Sequence, residues 1–137
     1  MSPSEFIDAA EKFHTAEFGE AGRRSAVSRA YYGAFHGCSL CLPVDLLPAW
    51  EARYETGSHK ALVSSLEAWG SSTRDGRHSA QRAARKLARL RRARVDADYR
   101  LAAPLTYDPS DCVRDAREIL SLVEDARRLF DKAAGTV

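Results

Sequence analysis

The chain has 137 residues, 45% of them hydrophobic and 29% charged, with a formal net charge of +2. That is the balance of an ordinary globular protein, and residues 1–137 are expected to form one domain. No apolar run approaches the roughly 18 residues of a membrane span. Met1-Ser2-Pro3-Ser4-Glu5 lacks the basic and apolar regions of a signal peptide. Three cysteines are an odd, low count for a disulfide framework, so a reducing cytoplasm is the expected setting.

Apolar residues recur at helical spacing along most of the chain. The first helix is expected from Ser4 to Glu17, with Phe6, Ala9, Ala10 and Phe13 on one face. Pro3 or Ser4 opens it and Gly19 ends it. The second runs from Gly22 to Leu42 and stops at Pro43. Its apolar stripe is Val27, Ala30, Tyr31, Ala34, Cys38 and Cys41. Residues Pro43 to Ser58 hold two prolines, Trp50 and Tyr54, and read as a loop with room for one short helical turn. The third helix spans Ser58 to Trp69, with Leu62, Val63, Leu66 and Trp69 facing inward. Gly70 to Gly76 is a loop by its breakers. The fourth helix spans Arg77 to Arg100, and Pro104 to Pro109 is a turn. The fifth starts at Ser110 or Asp111, either of which suits an N-cap, and runs to Ala134 with Val113, Ala116, Leu120, Val123 and Phe130 in its stripe. No strand alternation is evident. The expected class is therefore all-α, an antiparallel bundle of four to five helices with short connections.

The fourth helix carries two features of its own. Its inward stripe, Ala80, Ala83, Leu87 and Leu90 or Arg91, continues at the same spacing to Arg94 and Asp98. Charges on a core-facing stripe require partners. These two are four residues apart and can pair with each other. Such a pair either fixes helix register or orients a site on the second helix. The same helix is also basic. From Arg74 to Arg94 there are nine cations and one acid, Asp75. Arg82, Arg85, Arg89 and Arg92 share a face and form the candidate RNA-binding surface, with a solvated helix face as the alternative. Arginine outnumbers lysine 17 to 4, and it forks onto phosphate better than lysine does.

The second helix carries the chemistry. Arg29 and His36 are seven residues apart, nearly two turns at about 3.6 residues per turn, so they project from nearly the same side. By that geometry the apolar stripe lies roughly opposite, and Ser25 and Tyr32 share the Arg29/His36 face. A fixed cation beside a group that titrates near neutral pH suits chemistry on a phosphodiester. His36 would transfer protons and Arg29 would hold the phosphate. Tyr32, between them, would position a phosphate or stack a base.

Other residues offer less. Cys38-Ser39-Leu40-Cys41 has C-x-x-C spacing, but only Cys112 remains as a further cysteine ligand. Both residues also fall on the apolar stripe, so small core residues are expected and no metal site. His59 opens the third helix, as a cap, an exposed residue or a phosphate contact. Tyr31 and Phe35 read as core aromatics. His14 and His78 have no constellation around them. No Gly-rich phosphate loop or other cofactor motif is present, and no cofactor is expected.

Three segments resemble a known family. Ser28-Arg29-Ala30-Tyr31-Tyr32-Gly33-Ala34-Phe35-His36 resembles the A-Y-Y-x-x-F-H helix of small bacterial and archaeal HEPN proteins. Arg94-Val95-Asp96-Ala97-Asp98-Tyr99 is similar to that subgroup's R-x-x-A-D-Y signature. Gly57-Ser58-His59-Lys60 is similar to the S-H-K opening of its third helix. The resemblance implies a four- or five-helix bundle that forms a homodimer. It further implies a metal-independent endoribonuclease whose R-x4-6-H motif, here Arg29 and His36, meets its counterpart at the dimer interface. Arg94, Asp98, Tyr99 and Tyr32 would support that site. Such proteins include toxins paired with an antitoxin and antiviral-defence effectors. Other members are non-catalytic, binding RNA or a nucleotide or acting as partners of a nucleotidyltransferase. Ala30 stands here where nuclease members commonly carry a polar residue, so both functions are carried forward.

Overall fold

A computed structural model of the chain describes residues 1–14, 18–43, 45, 58–72 and 76–135. Among them are five helices and no strand: α1 (Pro3–Phe13), α2 (Gly19–Cys41), α3 (Ser58–Ser72), α4 (Arg77–Tyr99) and α5 (Pro109–Gly135). The all-α bundle expected from the periodicity is what forms. Helix α2 is its axis and touches all four other helices. Most of the expected loop from Pro43 to Ser58 lies outside the described residues.

Local chemistry explains most helix ends. Ser2 caps α1, its Oγ accepting from Glu5 N, and proline occupies the first turn, where no N–H is missed. This helix stops at Phe13, short of the expected Glu17. Residues 15–17 lie outside those described. Helix α2 begins at Gly19, three residues before the expected start. Helix α3 runs on through Gly70 to Ser72, where the breakers predict a loop. Arg77 Nε donates to the Gly70 carbonyl at 3.1 Å and ties that end to α4. Gly76 starts α4 with φ of 81°, a left-handed conformation that favours glycine. Helix α5 begins at Pro109, and its cap is Asp108 rather than Ser110 or Asp111. Asp108 Oδ1 accepts from Ser110 N at 2.8 Å.

The core lies where the helical spacing places it, with informative shifts. Val27, Ala30, Tyr31, Ala34 and Cys38 of α2 are sealed from solvent, as are Leu66 and Trp69 of α3 and Leu87 of α4. Ile7 is the buried anchor of α1, while Phe6 and Phe13 are only half-buried. On α4 the buried stripe turns to Ala93 and Ala97, which leaves Arg94 and Asp98 at its edge. Nor is the other side of α2 free. Ala26, Gly33 and Gly37 are buried there as well. A Cβ at Gly33 would stand 2.7 Å from Ile7 Cγ1 and 2.8 Å from the Pro3 carbonyl oxygen. Glycine therefore lets α1 and α2 approach closely, and core packing shapes much of the face assigned above to Arg29 and His36.

Arg24 is the one charged residue among those described as buried, at 7% exposure. Its guanidinium closes the end of α4. Nη1 donates to the carbonyls of Asp96 (3.0 Å), Ala97 (3.2 Å) and Arg100 (3.3 Å), and Nη2 to Ala103 (2.6 Å). Glu20 Oε1 takes the Nε proton at 3.0 Å. The last carbonyls of a helix lack intrahelical donors and carry partial negative charge, so a buried cation there satisfies both needs. The same bonds fix the end of α4 against α2, where Ser28 donates to Asp98.

Candidate functional site

Arg29, Tyr32 and His36 occupy successive turns on one side of α2, and α1 and α4 flank them. Arg29, Tyr32, Ser25, Ser28, Phe6 and Asp98 line an open recess of about 290 Å³. The Arg29 guanidinium sits 4.8 Å from the centre of the Phe13 ring. No carboxylate is within ion-pair distance of it among the described residues, although Asp98 lines the same recess. Among the described residues, then, no carboxylate neutralises its charge.

His36 is exposed and packed among aromatic rings. Phe6 lies at 5.4 Å, Phe35 edge-on at 5.5 Å and Tyr32 stacked at 6.4 Å, centre to centre. It makes no hydrogen bond to a described residue. Arg29 and His36 thus share a surface, with Phe6 and Tyr32 common to both, but they do not touch.

Tyr32 is tied to α4. Arg94 Nη2 donates to its hydroxyl oxygen at 2.6 Å, which leaves the phenolic proton free to donate toward the recess. The expected pair between Arg94 and Asp98 is formed, Nε to Oδ2 at 2.9 Å. The contact is off-line, so it joins charges without a directed hydrogen bond. Ser28 Oγ supplies that carboxylate with a bond at 3.1 Å. The Arg94 guanidinium also lies 5.2 Å from the Tyr32 ring and 5.3 Å from the exposed Tyr99 ring. Burial opposes its charge, but Tyr32, Asp98 and Tyr99 outweigh burial and hold its pKa above the ordinary arginine value. Arg94 therefore orients Tyr32, and Asp98 and Tyr99 flank Arg94.

His59 is not a simple cap. It is half-buried, and its Nδ1 lies 2.5 Å from the hydroxyl of Tyr31. The rings of Tyr31, Tyr32 and Phe35 surround it at 5.3, 6.3 and 5.2 Å. Desolvation, reinforced by Arg94 and Arg91, pushes its pKa below the usual 6.5. Burial likewise raises the Tyr31 phenol. Both groups are neutral near pH 7. Sequence spacing placed Tyr31 correctly in the core but gave no sign of this partner 28 positions away.

The basic face of α4 is partly neutralised. Arg82 pairs with Glu118 at 3.0 Å, and Lys86 with Glu118 and Asp115 at 3.0 and 3.5 Å. Arg89 is exposed beside Asp108, Asp111 and Asp115. Arg85 and Arg92 are exposed without carboxylate partners among the described residues. A larger recess of about 390 Å³ lies elsewhere, lined by His14, Arg23, Tyr107 and Asp108 among others. Much of its polarity is spent locally. Asp108 caps α5, and Ser110 Oγ lies 3.1 Å from His14 Nδ1.

Cys38 and Cys112 are buried and Cys41 half-buried, all as free thiols. Burial raises all three thiols, Cys112 to about 12, which suits packing and not nucleophilic chemistry. No group of three or more His, Cys, Asp or Glu is placed to hold a metal ion among the described residues. No described helix is long and apolar enough to cross a membrane.

No protein-family model matches this chain, and neither does any curated protein or solved structure.

Proposed function

We propose that the protein is a metal-independent endoribonuclease of HEPN type, acting in the cytoplasm as a toxin or antiviral-defence effector. The observation that carries this reading is the Arg29 guanidinium, without a carboxylate partner among the described residues, in an open recess on one surface with the exposed imidazole of His36. RNA cleavage without a metal needs a base for the 2′-hydroxyl, an acid for the leaving 5′-oxygen and positive charge on the phosphorane. Arg29 supplies the charge, and the free phenolic proton of Tyr32 a hydrogen bond to a phosphate oxygen. His36 supplies one proton-transfer group. The nearby His59 does not supply the other, because its Nδ1 lone pair is taken by the Tyr31 hydroxyl and burial, with Arg94 and Arg91, disfavours the imidazolium that an acid would need. A second copy, bringing its own Arg29 and His36 to a shared cleft, completes the pair. Homodimerisation is thus part of the proposal.

The reading is tested by replacing Arg29 with Ala. Cleavage of single-stranded RNA is expected to disappear while far-UV circular dichroism stays unchanged. A variant that cleaves like the parent contradicts the role of Arg29.

One observation favours a second reading. No described residue bonds to the His36 ring to orient it, as the partner of a catalytic imidazole commonly does. On that reading the same face is a binding surface for RNA, a nucleotide or a partner protein such as an antitoxin or a nucleotidyltransferase. RNA that binds without being cleaved is its signature.

A further inference from the structure

The neighbourhood of His59 contains several donors and too few acceptors. The Tyr31 side chain is sealed from solvent, and His59 Nδ1 is its hydroxyl's one hydrogen-bond partner among the described residues. A buried hydroxyl proton without an acceptor is costly, so Tyr31 donates and Nδ1 accepts. A neutral imidazole carries a single N–H. That proton is consequently on Nε2, and His59 presents a donor at its other edge. Nε2 has no described partner and is not sealed from solvent.

Arg91 lies one turn before Arg94 on α4. The Arg94 guanidinium stands 5.2 Å from the Tyr32 ring, which lies 6.3 Å from His59. Arg91 therefore neighbours the same pair, and its charge acts on both Tyr31 and His59. It is half-buried, its Nε is buried without a hydrogen bond, and no carboxylate pairs with it among the described residues. Arg94, on the next turn, uses Nη2 on Tyr32 and faces Asp98 with Nε. Among the described residues the one carboxylate beside these two guanidinium groups is therefore Asp98, and it pairs with Arg94. The excess is one positive charge together with unused N–H groups on Arg91 and His59. A half-buried arginine in this state lacks an anion.

We propose that His59 and Arg91 form a binding site for a phosphate group beside the Arg29/His36 surface. Tyr31 acts there as a positioning residue that sets the His59 tautomer. Arg94 adds charge. A guanidinium fork and an imidazole N–H suit the several oxygens of a phosphate, and the net charge suits an anion. The site does not depend on RNA cleavage. It takes a phosphodiester of bound RNA or the phosphate of a free nucleotide by the same contacts.

The test is a titration of the isotope-labelled full chain with inorganic phosphate at constant ionic strength and pH 7, followed through arginine Nε–H and histidine ring ¹⁵N signals. The expected result is a saturable millimolar response of Arg91 and His59, weakened about tenfold or more in Arg91→Gln, which removes a fork and a charge. Arg91 makes no hydrogen bond in the described structure, so that variant is expected to fold. The ¹⁵N pattern of His59 reports an Nε2–H tautomer in the parent and a mixture in Tyr31→Phe, a change that loss of packing alone does not produce. Displacement of phosphate by an oligoribonucleotide lacking terminal phosphates assigns the site to RNA. Displacement only by a nucleoside monophosphate assigns it to a free nucleotide. Either supports the site, and phosphate binding that persists without any cleavage separates it from the nuclease reading. No saturable response in the parent, an equal response to acetate or chloride, or unchanged affinity in Arg91→Gln overturns the proposal.

Discussion

Replacing Arg24 with Met keeps a long apolar stem in place and removes the fork that closes α4. Four carbonyls then lose the arginine, and those of Asp96 and Arg100 keep a backbone N–H donor. Those of Arg100 and Ala103 belong to exposed residues, and water replaces the arginine there at little cost. Asp96 keeps the Arg100 N–H on its carbonyl at 3.1 Å, but Ala97 is 1% exposed, so its carbonyl is the one that is hard to rehydrate. An unsatisfied buried polar group costs about 1–3 kcal/mol and a hydrogen bond to a charged group contributes about 1.5–3 kcal/mol. With one buried carbonyl left unsatisfied the terms overlap, and the expected loss is about 2–4 kcal/mol, a large share of the roughly 5–15 kcal/mol that stabilises a domain. Urea denaturation followed by circular dichroism should show the midpoint falling with the slope unchanged. Arg24→Lys, which keeps the charge but loses the fork, should fall between parent and Arg24→Met. A loss below about 1 kcal/mol would refute the claim that Arg24 holds this end of the helix.

The other expectations concern packing, charge and pH. Gly33→Ala places a Cβ against the Pro3 carbonyl oxygen and Ile7, neither a freely moving chain end, and should destabilise by about 1–3 kcal/mol in the same urea assay; a neutral result would mean α1 is free to move aside. If RNA lies along α4, Arg85→Gln and Arg92→Gln should each lower the salt slope of RNA binding by about 1. Arg82, already paired with Glu118, should matter less, and an equal effect from all three would contradict the pairing. The His59 pKa is lowered by burial and by Arg94 and Arg91, so below about pH 6.5 the unfolded chain binds a proton that the folded one resists. Stability should therefore fall as pH drops through that window toward the folded-state value. His59→Gln should lack this component, measured as the difference between parent and variant melting curves at pH 7.5 and pH 5. A difference that does not change with pH would contradict the neutral Tyr31–His59 pair.

The features legible in the sequence are the local ones. The five helices follow from apolar spacing, and the Arg94–Asp98 contact follows from a separation of four residues. Asp108 as the cap of α5 was also legible, since proline suits the first helical position and aspartate the residue before it. The expected caps at Ser110 and Asp111 overlooked that signal. Tertiary contacts hid the rest. An arginine inside a helical pattern reads as solvated, yet the carbonyl acceptors of Arg24 lie more than 70 positions away. Gly33 and Gly37 carry no apolar side chain to count, and their importance appears only when α1 lies against them. The partnership of His59 with Tyr31 joins two helices across a segment that no periodicity connects. Conversely, seven-residue spacing did place Arg29 and His36 on one surface, with Tyr32 between them. It did not show that Phe6 from α1 would complete that surface.

The most direct test of the central proposal is cleavage of a labelled single-stranded RNA in excess EDTA, with the parent and His36→Ala side by side. A metal-independent RNase using His36 cleaves in EDTA, and the variant falls by about 10²-fold or more. Cleavage that stops with EDTA, survives in His36→Ala or is absent across varied RNAs contradicts that account.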